Sequence, residues 1–295
     1  MKKFFISAVA VLAVLSLNAK VFTVGDIHQV NHGNGSIDKP VISADGSFVV
    51  AQGTSGLQKI DLTTGKVEQL VKGHDLYNIT ISADGKTVAY TRPSYGKDHL
   101  RYTALEAVNV DTKKSEVVVK ASRNLASGTA VTNQGVKALN NGKIAKKTIN
   151  KQAVAQEERP VIAINMGHLM VNGKAIDPQG KGSYLWPSLS PDGTKVVYWY
   201  VGKGCFVSNL DGSNVQPVGN LQAAVWAGND ALVGMQTKDN GEYVTEGRIV
   251  AHSLVNGENQ VLTSDNMIAV YPSATASRIA FVDEAGSLYF MDINK

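Results

Sequence analysis

Cysteine is almost absent from this chain. Cys205 is the only one in 295 residues, so no intramolecular disulfide forms and the fold is held by its core alone. Its setting, Gly204-Cys205-Phe206-Val207, reads as a buried strand position and predicts a packing role. Charge is also sparse. Asp, Glu, Lys and Arg make up 18% of the residues, below the usual share of about a quarter, which excludes a disordered polyelectrolyte and a coiled coil. The formal charge of +4 is too small to imply a nucleic-acid partner. Catalytic signatures are missing as well. There is no Gly-x-Ser-x-Gly, His-Glu-x-x-His, Walker loop or Gly-x-Gly-x-x-Gly, and the six histidines are scattered without ligand spacing. No metal and no cofactor are predicted.

Long apolar runs are confined to the start. Met1, Lys2 and Lys3 precede an apolar stretch from Phe4 to Leu17, and Asn18, Ala19 and Lys20 follow. A basic n-region, a short apolar core and a small residue predict a secretory signal peptide over residues 1–19, cleaved after Ala19. Fourteen helical residues span about 21 Å, short of a hydrocarbon core of about 30 Å. Removing Lys2 and Lys3 lowers the charge to about +2. The expected product, residues 20–295, is a single domain in the periplasm or outside a bacterial cell, a monomer with no membrane span.

What the chain has in plenty is glycine, 28 residues, and a repeat. Pro40-Val-Ile-Ser-Ala-Asp-Gly46, Ile79-Thr-Ile-Ser-Ala-Asp-Gly85 and Pro187-Ser-Leu-Ser-Pro-Asp-Gly193 are each followed by a β-branched or aromatic run. Asp-Gly supplies turn conformations that bulkier residues resist, so each copy reads as a hairpin. Weaker copies begin at Ala224 and Pro272, and a second hairpin with a polar turn follows each first one, as at Asp61, Asp111, Asp211 and Val255. Each unit therefore holds four strands. The anchor residues Ser43, Ser82, Ser190, Ala227 and Thr275 are separated by 39, 108, 37 and 48 residues. With two units assigned to the long gap, six repeats of about 46 residues predict an all-β, six-bladed β-propeller.

The last unit ends one strand short, and residues 21–30 precede the first anchored strand. The expectation is that this N-terminal segment supplies the missing outer strand and closes the ring. The third unit, roughly 124–178, lacks the Ser-x-Asp-Gly motif and is expected to be a distorted blade. Its basic stretch from Lys143 to Arg159 is read as a solvated loop, and Asn172-Gly173 as a type I′ turn.

The unit Pro-x-x-Ser-Pro-Asp-Gly-x-x-Val-x-Tyr, clearest from Pro187 to Tyr198, resembles the repeat of TolB-like propellers. The same repeat occurs in the propeller domains of prolyl oligopeptidase-type peptidases and in oligogalacturonate lyases. The resemblance implies the fold. It does not carry a function, because the propeller units are expected to fill residues 20–295 and leave no room for an N-terminal α/β domain or a hydrolase domain to match.

In a propeller the loops that lead into the innermost strands converge on one mouth of the central channel, where ligands usually sit. Those loops carry His32 and Lys39, His74 and Tyr77, Arg123 and Asn124, Trp186, Gln222, Asn266 and Tyr271. Trp186 and Tyr271 occupy equivalent positions, each directly before a proline. Their rings suit stacking on a sugar or gripping a peptide, with Tyr77, His32, His74 and Lys39 as polar neighbours. The alternative role is structural, plugging the channel or padding the blade interfaces. Two functions remain open at this point. One is non-catalytic binding of an envelope or extracellular protein, peptide or glycan. The other is a small propeller enzyme such as a polysaccharide lyase, which needs a His or metal cluster at the funnel.

Overall fold

The computed structural model describes residues 20–33, 35–124, 126, 128–153 and 159–295. The expected signal peptide, residues 1–19, lies outside the described residues. No helix among the described residues is long and apolar enough to cross a membrane.

The described residues form seven antiparallel sheets. They are called blades 1 to 7 here and span residues 38–72, 77–122, 128–148, 162–175, 184–219, 222–261 and 269–294. The first strand of each blade touches the first strand of the next, and Ala269–Ala274 of blade 7 touches Asp38–Ile42 of blade 1. That chain of contacts closes a ring. The chain is thus an all-β propeller of small blades, with seven of them and not the six expected from the sequence.

The error lies between Ser82 and Ser190. Their separation of 108 residues is three intervals of 36, close to the flanking 39 and 37, so two further blades fit between these anchors. The region expected to be one distorted unit holds blades 3 and 4, each of three strands. Both are short because their turns are tight. Thr132 and Gly135 close the inner hairpin of blade 3, while Met166-Gly167 and Asn172-Gly173 close the two hairpins of blade 4, all four residues at positive φ. The Asn172-Gly173 turn is the one expected. The basic loop is corrected in part, since Lys143–Thr148 is a strand paired with Gly135–Asn140.

In the anchored blades the Ser-x-Asp-Gly turn is a small hydrogen-bonded unit. Buried Ser190 donates its hydroxyl to Asp192 Oδ1 at 2.6 Å and accepts the backbone N–H of Lys195 at 2.9 Å. Gly193, at φ 72°, donates to the Ser190 carbonyl. Ser43 and Ser82 repeat the arrangement with Asp45 and Asp84. These serine hydroxyls hold the Asp45 and Asp192 carboxyls below the usual carboxylate range.

The core is divided among the seams between blades. Val49, Val50 and Ala51 are consecutive and all fully buried. Successive strand residues face opposite ways, so such a run requires a neighbour on both faces of the sheet. Each apolar cluster joins adjacent blades: Val50 and Leu57 meet Val88 and Tyr90 across the first seam, and Val197 and Val207 meet Leu232 and Val250 across the fifth. Cys205 belongs to that fifth seam, as expected, and burial pushes its thiol up to about 12.

Closure follows the expectation. Thr23–Val24 and His28–Gln29 both pair antiparallel with Leu288–Asn294, the last strand of blade 7. Phe22 and Val30 are buried in the core. The Phe22 backbone exchanges hydrogen bonds with the Gln260 side chain of blade 6, and His28 stacks on Phe290 at 5.1 Å. The first and last strands of the described chain are therefore sewn into one sheet.

Candidate functional site

Every innermost strand is entered from the preceding blade at the same end of the ring, so equivalent residues near that end form a circle. In five blades this circle is irregular. Pairing of the first two strands slips between Asp38 and Val41, Tyr77 and Thr80, Leu185 and Ser188, Gln222 and Val225, and Val270 and Ser273. Inside each slip sits a residue at left-handed φ: Lys39 (42°), Asn78 (52°), Trp186 (48°), Ala223 (47°) and Tyr271 (53°). All five stand four residues before their anchor residue. A bulge of this kind re-aims a side chain. Left-handed backbone is costly for a residue with a Cβ, and Lys39, Trp186 and Tyr271 also precede prolines, which steer the preceding residue towards extended conformations.

Such strain persists only where the surrounding structure imposes it. Trp186 is 46% exposed and its neighbour Leu185 40%, while Tyr271 is 36% exposed between buried Val270 and Pro272. Lys39 of blade 1 reaches across the seam, its Nζ 5.2 Å from the centre of the Tyr271 ring and 3.7 Å from Asp38 Oδ2. Trp186 meets Trp199 of its own blade at 6.1 Å. The Tyr77 ring, on blade 2, is covered by the Arg101 guanidinium at 5.4 Å.

The structure thus brings Lys39 and Tyr271 together and puts Trp186 on the same circle, with Tyr77 beside the bulge at Asn78. His32 lies beside this group. Its loop crosses from blade 7 to blade 1 and lines a cavity of about 570 Å3 that borders the one at Tyr271, the two sharing Ser36, Ala285 and Gly286. His32 Nδ1 is buried without a hydrogen-bond partner, and burial lowers the imidazole pKa. His74 is exposed. No hydrogen bond, ion pair or shared cavity joins His32 to His74 among the described residues. Nor do any three His, Cys, Asp or Glu side chains group as metal ligands among the described residues.

Two features of the mouth escaped the sequence reading. The middle hairpins of blades 2 and 6 are tall, with strands of 9 residues each in blade 2 and 9 and 10 in blade 6, against 6 and 6 in blade 1. Each ends in an exposed tyrosine, Tyr95 at 73% and Tyr243 at 64%. Blades 6, 7, 1 and 2 are consecutive around the ring, so these hairpins flank the Lys39 and Tyr271 pair from both sides. The signal was available in the turn residues Asn240-Gly241, displaced several residues beyond where the hairpins of other blades turn. The second feature is the bulge itself. Proline marks it at 40, 187 and 272, but Asn78 and Ala223 carry no such mark.

No family model matches the chain, and no curated protein matches it. Solved structures do. The β-propeller domain of Cps50 (Swd1) from Myceliophteria thermophila is similar at 10% identity with a TM-score of 0.59, over 92% of this chain and 100% of that one. A putative TolB from Agrobacterium tumefaciens is similar at 12% identity with a TM-score of 0.54, over 92% and 98%. An oligogalacturonate lyase from Vibrio parahaemolyticus matches at 14% identity with a TM-score of 0.46, over 90% and 80%. At these identities the likeness is one of fold. The chain is a β-propeller whose fold is similar to that of the putative TolB, and the six blades expected from the repeat spacing give way to seven.

Proposed function

We propose that this chain is exported and serves as a non-catalytic binding protein, whose funnel face captures a protein, peptide or glycan of the envelope or extracellular space. The reading rests on one observation above all: five innermost strands hold left-handed bulges at the same position, and in three of them the strained residue is Lys39, Trp186 or Tyr271. Packing alone gives no reason to strain a backbone in order to expose an aromatic ring. Ligand capture does, because aromatic side chains at a concave mouth supply large contact area at low entropic cost. The lyase alternative would need a histidine or metal cluster at the mouth, and His32 and His74 offer none between them. Export with cleavage after Ala19 and a monomeric state belong to the same proposal.

Titration of the exported protein with envelope glycans and peptides, read by tryptophan fluorescence and calorimetry, tests it. Trp186→Ala should weaken binding about thirtyfold, as truncating an aromatic anchor typically costs on the order of 2 kcal/mol. A large fall in melting temperature with unchanged affinity would make the ring structural and end the reading. Measurable turnover that His32→Ala or His74→Ala abolishes would replace it with an enzyme. An exported protein whose intact mass still begins at Met1 would refute the signal peptide.

A further inference from the structure

A cavity of about 810 Å3 opens between the tall hairpin of blade 6 and the inner strands of blades 7 and 1. Tyr243 and Tyr271 stand on its walls, with Val244, Ile268 and Val270 behind them. Its charged lining residues are Asp38, Asp283 and Glu284, and none of its lining residues is Lys, Arg or His. In a chain whose net charge is positive, this is a local excess of negative charge against aromatic faces.

The three carboxylates differ. Asp38 is neutralised by Lys39, 3.7 Å away. Asp283 is occupied by its turn, accepting the backbone N–H groups of Ala285 and Ser287 and the Tyr289 hydroxyl. Glu284 is exposed and has no hydrogen-bond or ion-pair partner among the described residues. The Tyr271 ring already carries the Lys39 ammonium over its face, which shows that this corner of the funnel stabilises a cation on an aromatic ring. The volume exceeds what one small ion fills and lies in the range of pockets that take several groups of a ligand.

We propose that this cavity receives an arginine or lysine side chain carried on an extended peptide, the cation lying against Tyr243 and facing Glu284. A guanidinium suits it especially, since its flat, weakly hydrated face stacks on a ring while its edge donates to a carboxylate. The inference deepens the binding function above and rests on it, naming a basic peptide as the ligand class.

The probes are acetyl-Gly-Ser-Arg-Ser-Gly-amide and the same peptide with citrulline, a neutral isostere, titrated into the full exported chain by NMR. The arginine peptide should bind about tenfold more tightly than the citrulline peptide, and added salt should narrow the gap. Glu284→Gln should bring the two affinities together, and Tyr243→Ala should weaken the arginine peptide; both residues are exposed, so neither change threatens folding. Equal affinity for the two peptides, no saturable binding of either, or an arginine preference that survives Glu284→Gln would overturn the proposal. Trp186 is on blade 5, next to blade 6, and does not line this cavity. A ligand lost through Trp186→Ala but indifferent to Glu284→Gln would sink the basic-peptide reading and leave the binding function standing. A charge-indifferent glycan seated on the same rings would do the same.

Discussion

Replacing Tyr271 by alanine and by glycine separates the strain of its backbone from the use of its ring. At φ 53° a residue with a Cβ bears about 1 to 2 kcal/mol that glycine avoids. Against this, glycine loses more freedom on folding than alanine, by about 0.5 to 1 kcal/mol. The glycine variant should therefore be the more stable of the two by about 0.5 to 1 kcal/mol. Both variants lose the ring, which is 36% exposed, so each should fall below the parent by about 1 to 2 kcal/mol of lost apolar burial before the strain is considered. Strain relief returns part of this in the glycine variant alone. Denaturant titration measures the stabilities and the binding assay measures affinity in the same preparations. The two variants should be equally impaired in binding while differing in stability. A glycine variant no more stable than the alanine variant would refute the claim of strain. Retained affinity in both would refute the claim that the strain serves a ligand.

Three further outcomes follow from the fold. Deleting residues 21–30 removes buried Phe22 and Val30 and bares the edge of blade 7, which should cost about 4 kcal/mol and lower Tm by on the order of 10 °C; calorimetry showing an unchanged transition would refute closure by this segment. Ser190→Ala leaves the Lys195 N–H without its acceptor and should cost about 1 to 3 kcal/mol in urea unfolding, whereas an effect no larger than that of a surface serine would mean that the turn does not depend on its hydroxyl. The Asp45 and Asp192 carboxyls have lowered pKa values, so their contribution is present above the ordinary carboxylate pKa of about 4 and is lost as pH falls through their lower folded values. The acid limb of stability should accordingly shrink in the double variant Ser43→Ala with Ser190→Ala, and an unaltered acid limb would contradict the assignment.

Local chemistry was legible in the sequence and spatial bookkeeping was not. The Ser-x-Asp-Gly turns could be read because the serine hydroxyl bonds that shape them join residues within five positions, although the Asp84 and Asp192 N–H groups also donate to Asn133 and Asn229 of the following blade. Ring closure could be read because an incomplete last unit and an unassigned first strand need each other. The blade count failed where local signals thin out. Blade 4 spans only 14 residues, 162–175, and owes its place to neighbours on both sides more than to any motif of its own. At the mouth, Trp186 and Tyr271 were visible as pre-proline aromatics. The pairing of Tyr271 with Lys39 across a seam, and the height of the blade 6 hairpin that brings Tyr243 near Tyr271, depend on how blades pack. His32 shows the converse: a residue placed in the right loop by topology sits in a different cavity, because that loop runs along the blade 7 hairpin before entering blade 1.

The ring is uneven, and its unevenness offers a control. Blades 3 and 4, which lack the bulge, are adjacent and three-stranded, while the five bulged blades are contiguous. Blade 4 nevertheless holds one strained apolar residue. Met166, at φ 50° and 94% exposed, turns the inner hairpin together with Gly167. It stands at the end of the innermost strand away from the funnel mouth, so no ligand argument accounts for its strain. A two-residue turn with both residues at positive φ favours Asn-Gly, since asparagine tolerates the left-handed region where methionine does not. Met166→Asn should therefore raise stability by about 0.5 to 1 kcal/mol in denaturant titration and leave ligand affinity unchanged. The contrast with Tyr271 carries the reasoning: relieving the strain at the mouth costs the ring and should weaken binding, and relieving it at the far end should be gain alone. If Met166→Asn destabilises the fold, left-handed φ is not a measure of strain in this protein, and the argument from the five bulges loses its physical basis.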